Sequence, residues 1–214
     1  MAAIAGAFAA GAACGLAVDR VLNASYSEAA LEERRALPGR PLVLAALLAT
    51  LFALAAAVAD DTREFLLLAL FTTPLAAVAI TDIEARVLPN RIVYPGIVVA
   101  LALSWAWPDR DVGHALIGGA VGFGFMLFPF IISAGRGIAA GDVKLAAYIG
   151  LASGWPAVMA GLLIGVVAGG VAAVIIGVAA RSRRAAFAYG PFLALGGVIA
   201  LWFGEEVVDW YQGE

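Results

Sequence analysis

The sequence predicts an all-α membrane protein, a polytopic bundle of about eight transmembrane helices with its N-terminus outside. Three observations lead there. Of its residues, 64% are hydrophobic and only 14% charged, whereas a soluble domain is about half apolar and a quarter charged. The apolar residues come in long blocks, and a block of about 18 or more can cross a bilayer as a helix. The basic residues cluster between alternate blocks, the arrangement that sets orientation in a membrane.

The blocks run over about 2–18, 42–59, 65–83, 92–107, 113–133, 142–154, 156–180 and 189–204. Each is expected to be helical, because a lone apolar segment in lipid must satisfy its own backbone hydrogen bonds. No period-two alternation suggests a barrel. The first block lacks the basic lead-in of a signal peptide and reads as an ordinary first helix. Gly11 to Cys14 resembles a lipoprotein cleavage box only without its usual leucine. The sixth block is short for a span of about 20 residues, which suggests a half-helix or a tilted segment.

With the N-terminus outside, the inner segments hold Arg20, Arg34, Arg35, Arg40, Arg86, Arg91, Arg136, Lys144, Arg181, Arg183 and Arg184. The outer ones hold only Arg63 and Arg110, so 11 of the 13 basic residues lie inside. The positive-inside rule selects this orientation. The outer loops are acidic, with Asp60, Asp61, Glu64, Asp109 and Asp111. No polar stretch is long enough to fold separately, so residues 1–214 are expected to form one transmembrane domain with a short cytoplasmic loop over 19–41. Arg181, Arg183 and Arg184 read as an orientation signal against anionic lipid.

Other residue types narrow the chemistry. Cys14 is the one cysteine, which excludes an internal disulfide and a thiolate zinc site. His114 is the one histidine; it excludes a His-cluster metal centre and is expected at the outer interface. The five tryptophans, Trp105, Trp107, Trp155, Trp202 and Trp210, are expected near the outer boundary as an aromatic belt. Gly118, Gly119, Gly122 and Gly124, and Gly161, Gly165, Gly169 and Gly170, suit close helix packing. Packing is the favoured reading; self-association through Gly161, Gly165 and Gly169 is a second one that the sequence does not decide.

Two acids stand apart from the loops. Asp82 follows the apolar run 74–80 at the inner end of the third block, and Asp142 opens the sixth after a glycine-containing loop over 135–141. An ionisable group at a membrane segment is a functional candidate by default, although Asp142 equally suits a helix N-cap. Held close, two carboxylates cannot both ionise, so they share a proton. One then takes a proton from water while the other donates to a peptide carbonyl, which is amide hydrolysis without a nucleophilic side chain. A transporter or channel using intramembrane Asp as a proton or cation relay is the competing reading, and a non-catalytic scaffold is a third. Around these acids, Pro89-Asn90 marks a turn, with Asn90 expected to cap the fourth helix. Pro95-Gly96 is expected to weaken that helix near its start. Gly141 lets a substrate backbone approach. Lys144 should point off the Asp142 face, toward lipid headgroups or a neighbouring acid.

Three stretches resemble the type IV prepilin peptidases, membrane aspartyl proteases of the GxGD group. Asp82 to Asn90 is similar to a D-x-x-x-x-x-[LI]-P-[ND] segment. Gly137 to Leu145 is similar to G-x-G-x-G-D-x-K-L, with Ala139 in place of a glycine. Tyr189 to Gly196 is similar to a late G-P-F-L-A-x-G span. The resemblance covers roughly 65–203. It implies that Asp82 and Asp142 are the catalytic pair, with Gly141, Lys144, Pro89 and Asn90 as candidate substrate contacts. It implies a prepilin or pseudopilin substrate whose basic leader is removed at the cytoplasmic face of the inner (plasma) membrane. Lipids are the other expected partners, and nucleic acid is not. Proteolysis of this kind needs no cofactor; many members also methylate the new N-terminus with S-adenosylmethionine. Longer members bind zinc through paired CxxC motifs in the first cytoplasmic loop, and residues 19–41 here carry no cysteine.

Overall fold

The computed structural model describes residues 1–26, 34–108, 110–135, 138–179 and 188–212. The described residues form eight α-helices and no strand: α1 (Ala2–Ser25), α2 (Arg40–Val58), α3 (Thr62–Ala85), α4 (Asn90–Ala102), α5 (Val112–Ile132), α6 (Ala140–Ser153), α7 (Ala157–Ala179) and α8 (Gly190–Gln212), with a 3-10 turn at Ser104–Ala106. Arg136, Gly137, Asp109 and the arginines at 181, 183 and 184 lie outside the described residues.

Five of these helices, α1, α2, α3, α5 and α7, are long and apolar enough to cross a membrane. Helix α4 and the apolar part of α8, Gly190–Gly204, are shorter. Helix α6 has 14 residues, or about 21 Å at the α-helical rise, less than the roughly 30 Å hydrocarbon core. Eight helices are thus present among the described residues, and five of them, not the expected eight or so, have full spanning length.

Two boundaries move for a physical reason. Helix α1 continues through Asp19 to Ser25, and α2 begins at Arg40, so the expected loop 19–41 shortens from both ends. Asp19 and Arg40 are charged yet buried, because they satisfy each other across the helix pair. Hydropathy reads such residues as loop, whereas pairing lets them lie within helices. At the other end of the chain, α8 runs past the expected limit with a break in its backbone at Phe203.

Helix α3 is the hub. It packs against α2, α4 and α8, and more lightly against α1, while α6 packs against α4, α5, α7 and α8. The closest pairs are α1 with α2, α5 with α6, and α7 with α8. In each pair glycine lets the backbones touch: a methyl group at Gly15 would strike Ala45, at Gly118 the Gly150 carbonyl, and at Gly161 the Gly196 carbonyl. Gly161, Gly165 and Gly169 all face α8 or the residue just before it. Their small surface is thus spent on packing inside the chain.

The core between these pairs is built from Phe71, Leu75, Trp107, Met126, Tyr148, Ile149, Leu162 and Leu193. Pro74 interrupts the hydrogen-bond ladder of α3. Near that interruption the fully buried Tyr148 hydroxyl of α6 donates to the Phe71 carbonyl at 2.7 Å. The Trp202 indole donates to Thr72 Oγ1 at 3.0 Å, and Trp107 is buried. These two tryptophans are core residues. Trp105, Trp155 and Trp210 are exposed; the Trp202 indole N–H lies inside with an acceptor, whereas the buried Trp107 Nε1 has none among the described residues. His114 lies exposed at the start of α5, where Asp111 caps the helix by accepting from the His114 N–H at 2.9 Å.

Candidate active site

Asp82 sits one turn before the end of α3. The helix closes at Arg86, which adopts the left-handed region at φ 53° and donates its N–H to the Asp82 carbonyl at 2.9 Å. The chain then runs extended to Pro89, where α4 starts. Pro89, not Asn90, is the N-cap of α4, and no side chain caps that helix. Pro95 does not break α4; Gly96 beside it lies against the Tyr148 ring.

Asp142 is the third residue of α6, not its N-cap. Its Oδ2 reaches back to accept from the Ala139 N–H at 2.9 Å. This satisfies one of the donors left open at a helix start and fixes the direction of the carboxyl group. Both aspartates are 4% exposed, and the charge of Asp82 reaches Asp142. Helices α4 and α8 each pack against both α3 and α6, so four helices surround the pair.

The two motif segments also touch outside the carboxylates. Gly141 lies against Leu88, where an added Cβ would come within 3.1 Å of the Leu88 Cβ. Lys144 Nζ donates to Asn90 Oδ1 at 3.0 Å and stands 5.0 Å from the centre of the Tyr94 ring. The expectation that Lys144 meets lipid or an acid is corrected: its partner is the Asn90 amide oxygen. The Asn90 amide oxygen is directed to Lys144 and not to the backbone at the start of α4.

Motif spacing did not reveal one further participant. The Gly190 N–H, at the start of α8, donates to Asp82 Oδ2 at 2.7 Å. A Cβ at Gly190 would lie 2.9 Å from that oxygen, so only glycine admits the carboxylate this close. Its neighbour Tyr189 lies within electrostatic reach of Asp142. The Gly-Pro pair opening the last apolar block was the available signal, since glycine there permits close backbone approach.

A model of the type IV leader peptidase family matches residues 66–174, a stretch that begins in α3, ends in α7 and includes both aspartates. The chain belongs to this family. It is 31% identical over 150 residues to the prepilin leader peptidase/N-methyltransferase of Pseudomonas putida, covering 67% of this chain and 52% of that relative. The protein of the same name from Bacillus subtilis (strain 168) is 32% identical over 166 residues, covering 76% and 66%. The one from Aeromonas hydrophila is 31% identical over 180 residues, covering 80% and 60%. The chain thus spans between about half and two-thirds of the length of these relatives. No solved structure matches it. Within this leader peptidase chain the family match stops before Gly190, so the donor to Asp82 comes from outside the matched stretch.

Proposed function

We propose that this chain is a membrane aspartyl endopeptidase that removes the leader from prepilin-like precursors. One observation carries the reading: in a member of the leader peptidase family, two carboxylates from different helices are both buried, and the charge of one acts on the other. Neighbouring acids in a site with little water hold one proton between them. The ionised member abstracts a proton from a bound water, and the protonated one donates to the scissile carbonyl. The Gly190 and Ala139 N–H groups keep each carboxyl group aimed while the proton moves. Gly141, Pro89, Asn90 and Lys144 line the approach from the side where the two motif segments meet, and are the proposed substrate contacts.

The substrate class follows from the family name and from charge. A prepilin-like precursor brings a basic leader and an apolar helix. With the N-terminus outside, the aspartates face the cytoplasmic rim of the inner membrane, where such a leader remains. Lipids are the other proposed partners.

The relatives' names also carry N-methyl transfer, for which S-adenosylmethionine would be the methyl donor. That donor is polar and bulky, and two cavities close to the motif segments do not fit it. The one beside Ile138 and Tyr189 is lined by Phe125, Met126, Phe128 and Pro129 and is apolar. The one between Arg35 and Arg86 is about 230 Å³, below the roughly 300 Å³ of small ligand sites. No methyl-transfer step is assigned to these residues.

The test is co-expression with a prepilin, with leader removal and N-terminal mass read by mass spectrometry. Asp82→Asn and Asp142→Asn should each reduce cleavage by about 10² to 10⁴ while the protein still folds. Undiminished cleavage by either variant removes that aspartate from the reaction, and Asp-dependent ion flux without processing would favour the relay reading.

A further inference from the structure

A second group of buried charge lies beside the aspartate pair and takes no part in the proton transfers above. Its centre is Glu84, whose side chain is fully enclosed. Glu84 Oε2 accepts from the Tyr26 hydroxyl at 2.6 Å and from Arg40 at 3.0 Å, with Arg34 at 3.4 Å. Its Oε1 accepts from the Leu37 N–H at 2.8 Å, and its backbone carbonyl accepts from the Arg35 N–H at 2.9 Å. Arg40 in turn donates to Asp19 at 2.6 Å and to Asn23 at 2.7 Å. Sequence reading counted Arg34 and Arg40 only as orientation charges.

Stability alone is a poor reason for this group. Well-packed apolar residues usually stabilise a buried position at least as well as an ion pair, and this chain is rich in them. Directional bonds do something that packing does not: they set a geometry. Glu84 follows Asp82 by two residues, about 200° around the helix, so the two acids point to opposite sides of the last turn of α3. That turn is the end of a helix, where carbonyls lack intrahelical donors and the backbone frays. Here the segment 34–40 supplies donors from one side, while Gly190 holds Asp82 from the other.

We propose that Glu84 and Arg40, acting through the segment 34–40, are positioning residues that hold Asp82 against Gly190. This rests on Asp82 being catalytic as proposed above. The test pairs two measurements on the full chain in detergent: prepilin cleavage, and hydrogen exchange of the peptide spanning 188–193, which contains the Gly190 amide. In Glu84→Gln and Arg40→Met, that peptide should exchange about 10-fold faster while α5 and α7 stay protected. The kcat should fall about 10- to 100-fold with KM unchanged, and Arg40→Lys should recover most of both. Tyr26→Phe, which removes a single bond, should show a smaller change in the same direction and serves if Glu84→Gln does not fold. Unchanged exchange at 188–193 overturns the proposal. So does a uniform rise across the bundle, which would make the group a general support of the fold. If the unaltered protein cleaves no prepilin, the hydrolytic reading falls, while the exchange data still decide whether the clamp exists.

Discussion

Replacing Gly190 by alanine separates site geometry from fold stability. The new methyl would sit 2.9 Å from Asp82 Oδ2 and 3.0 Å from its Cβ and Cγ. Ordinary carbon–carbon separation is about 3.5–4.0 Å, so the carboxyl group or the start of α8 must give by roughly half an ångström or more. The 2.7 Å bond from the Gly190 N–H then lengthens or breaks. Loss of a hydrogen bond to a charged group costs about 1.5–3 kcal/mol. Alanine returns about 0.5–1 kcal/mol through its smaller backbone entropy in a helix, and Gly190 holds no left-handed conformation that would resist it. The net cost is about 1–2 kcal/mol, too little to unfold a bundle of this size. Activity should suffer more, because misplacing a reacting group by about an ångström costs around 100-fold. The assay is prepilin cleavage beside thermal unfolding in the same detergent. A Gly190→Ala protein that cleaves at the original rate would refute the claim that the start of α8 positions Asp82.

Other substitutions probe the surroundings. Tyr148→Phe removes the donor to the Phe71 carbonyl beside the Pro74 interruption, and should lower stability by about 1–3 kcal/mol, read by thermal unfolding. Lys144→Met loses one hydrogen bond to Asn90 near solvent; stability should change by less than about 1.5 kcal/mol, while KM for a prepilin rises if Lys144 touches substrate. The exposed Asp111 is held below the usual carboxylate range, first by the His114 backbone N–H and then by its side chain. Its contribution is therefore present above the ordinary Asp value of about 3.9 and is lost as pH falls through the lower folded value. Asp111→Asn should accordingly flatten the acid limb of the stability profile by lowering stability at neutral pH, with little change below the folded value.

Helices α3 and α6 do not run side by side over any length; α4 and α8 bridge them. Leu88 against Gly141, and Asn90 against Lys144, then lock the two motif segments together at the rim.

By itself the sequence determined the properties that depend on local composition. Apolar blocks dictate helices that can cross a membrane, and acids at block ends mark Asp82 and Asp142 as the costly residues. Tertiary structure alone decided how the helices rotate and meet. It chose Lys144 for Asn90, Gly190 for Asp82 over a distance of 108 residues, and it buried Arg40 between Asp19 and Glu84, where hydropathy reads a loop. The physical reason is that a helix face acquires its partner only by packing. A charge that looks solvated in one segment can be neutralised by a side chain from another, and no one-dimensional pattern records that meeting.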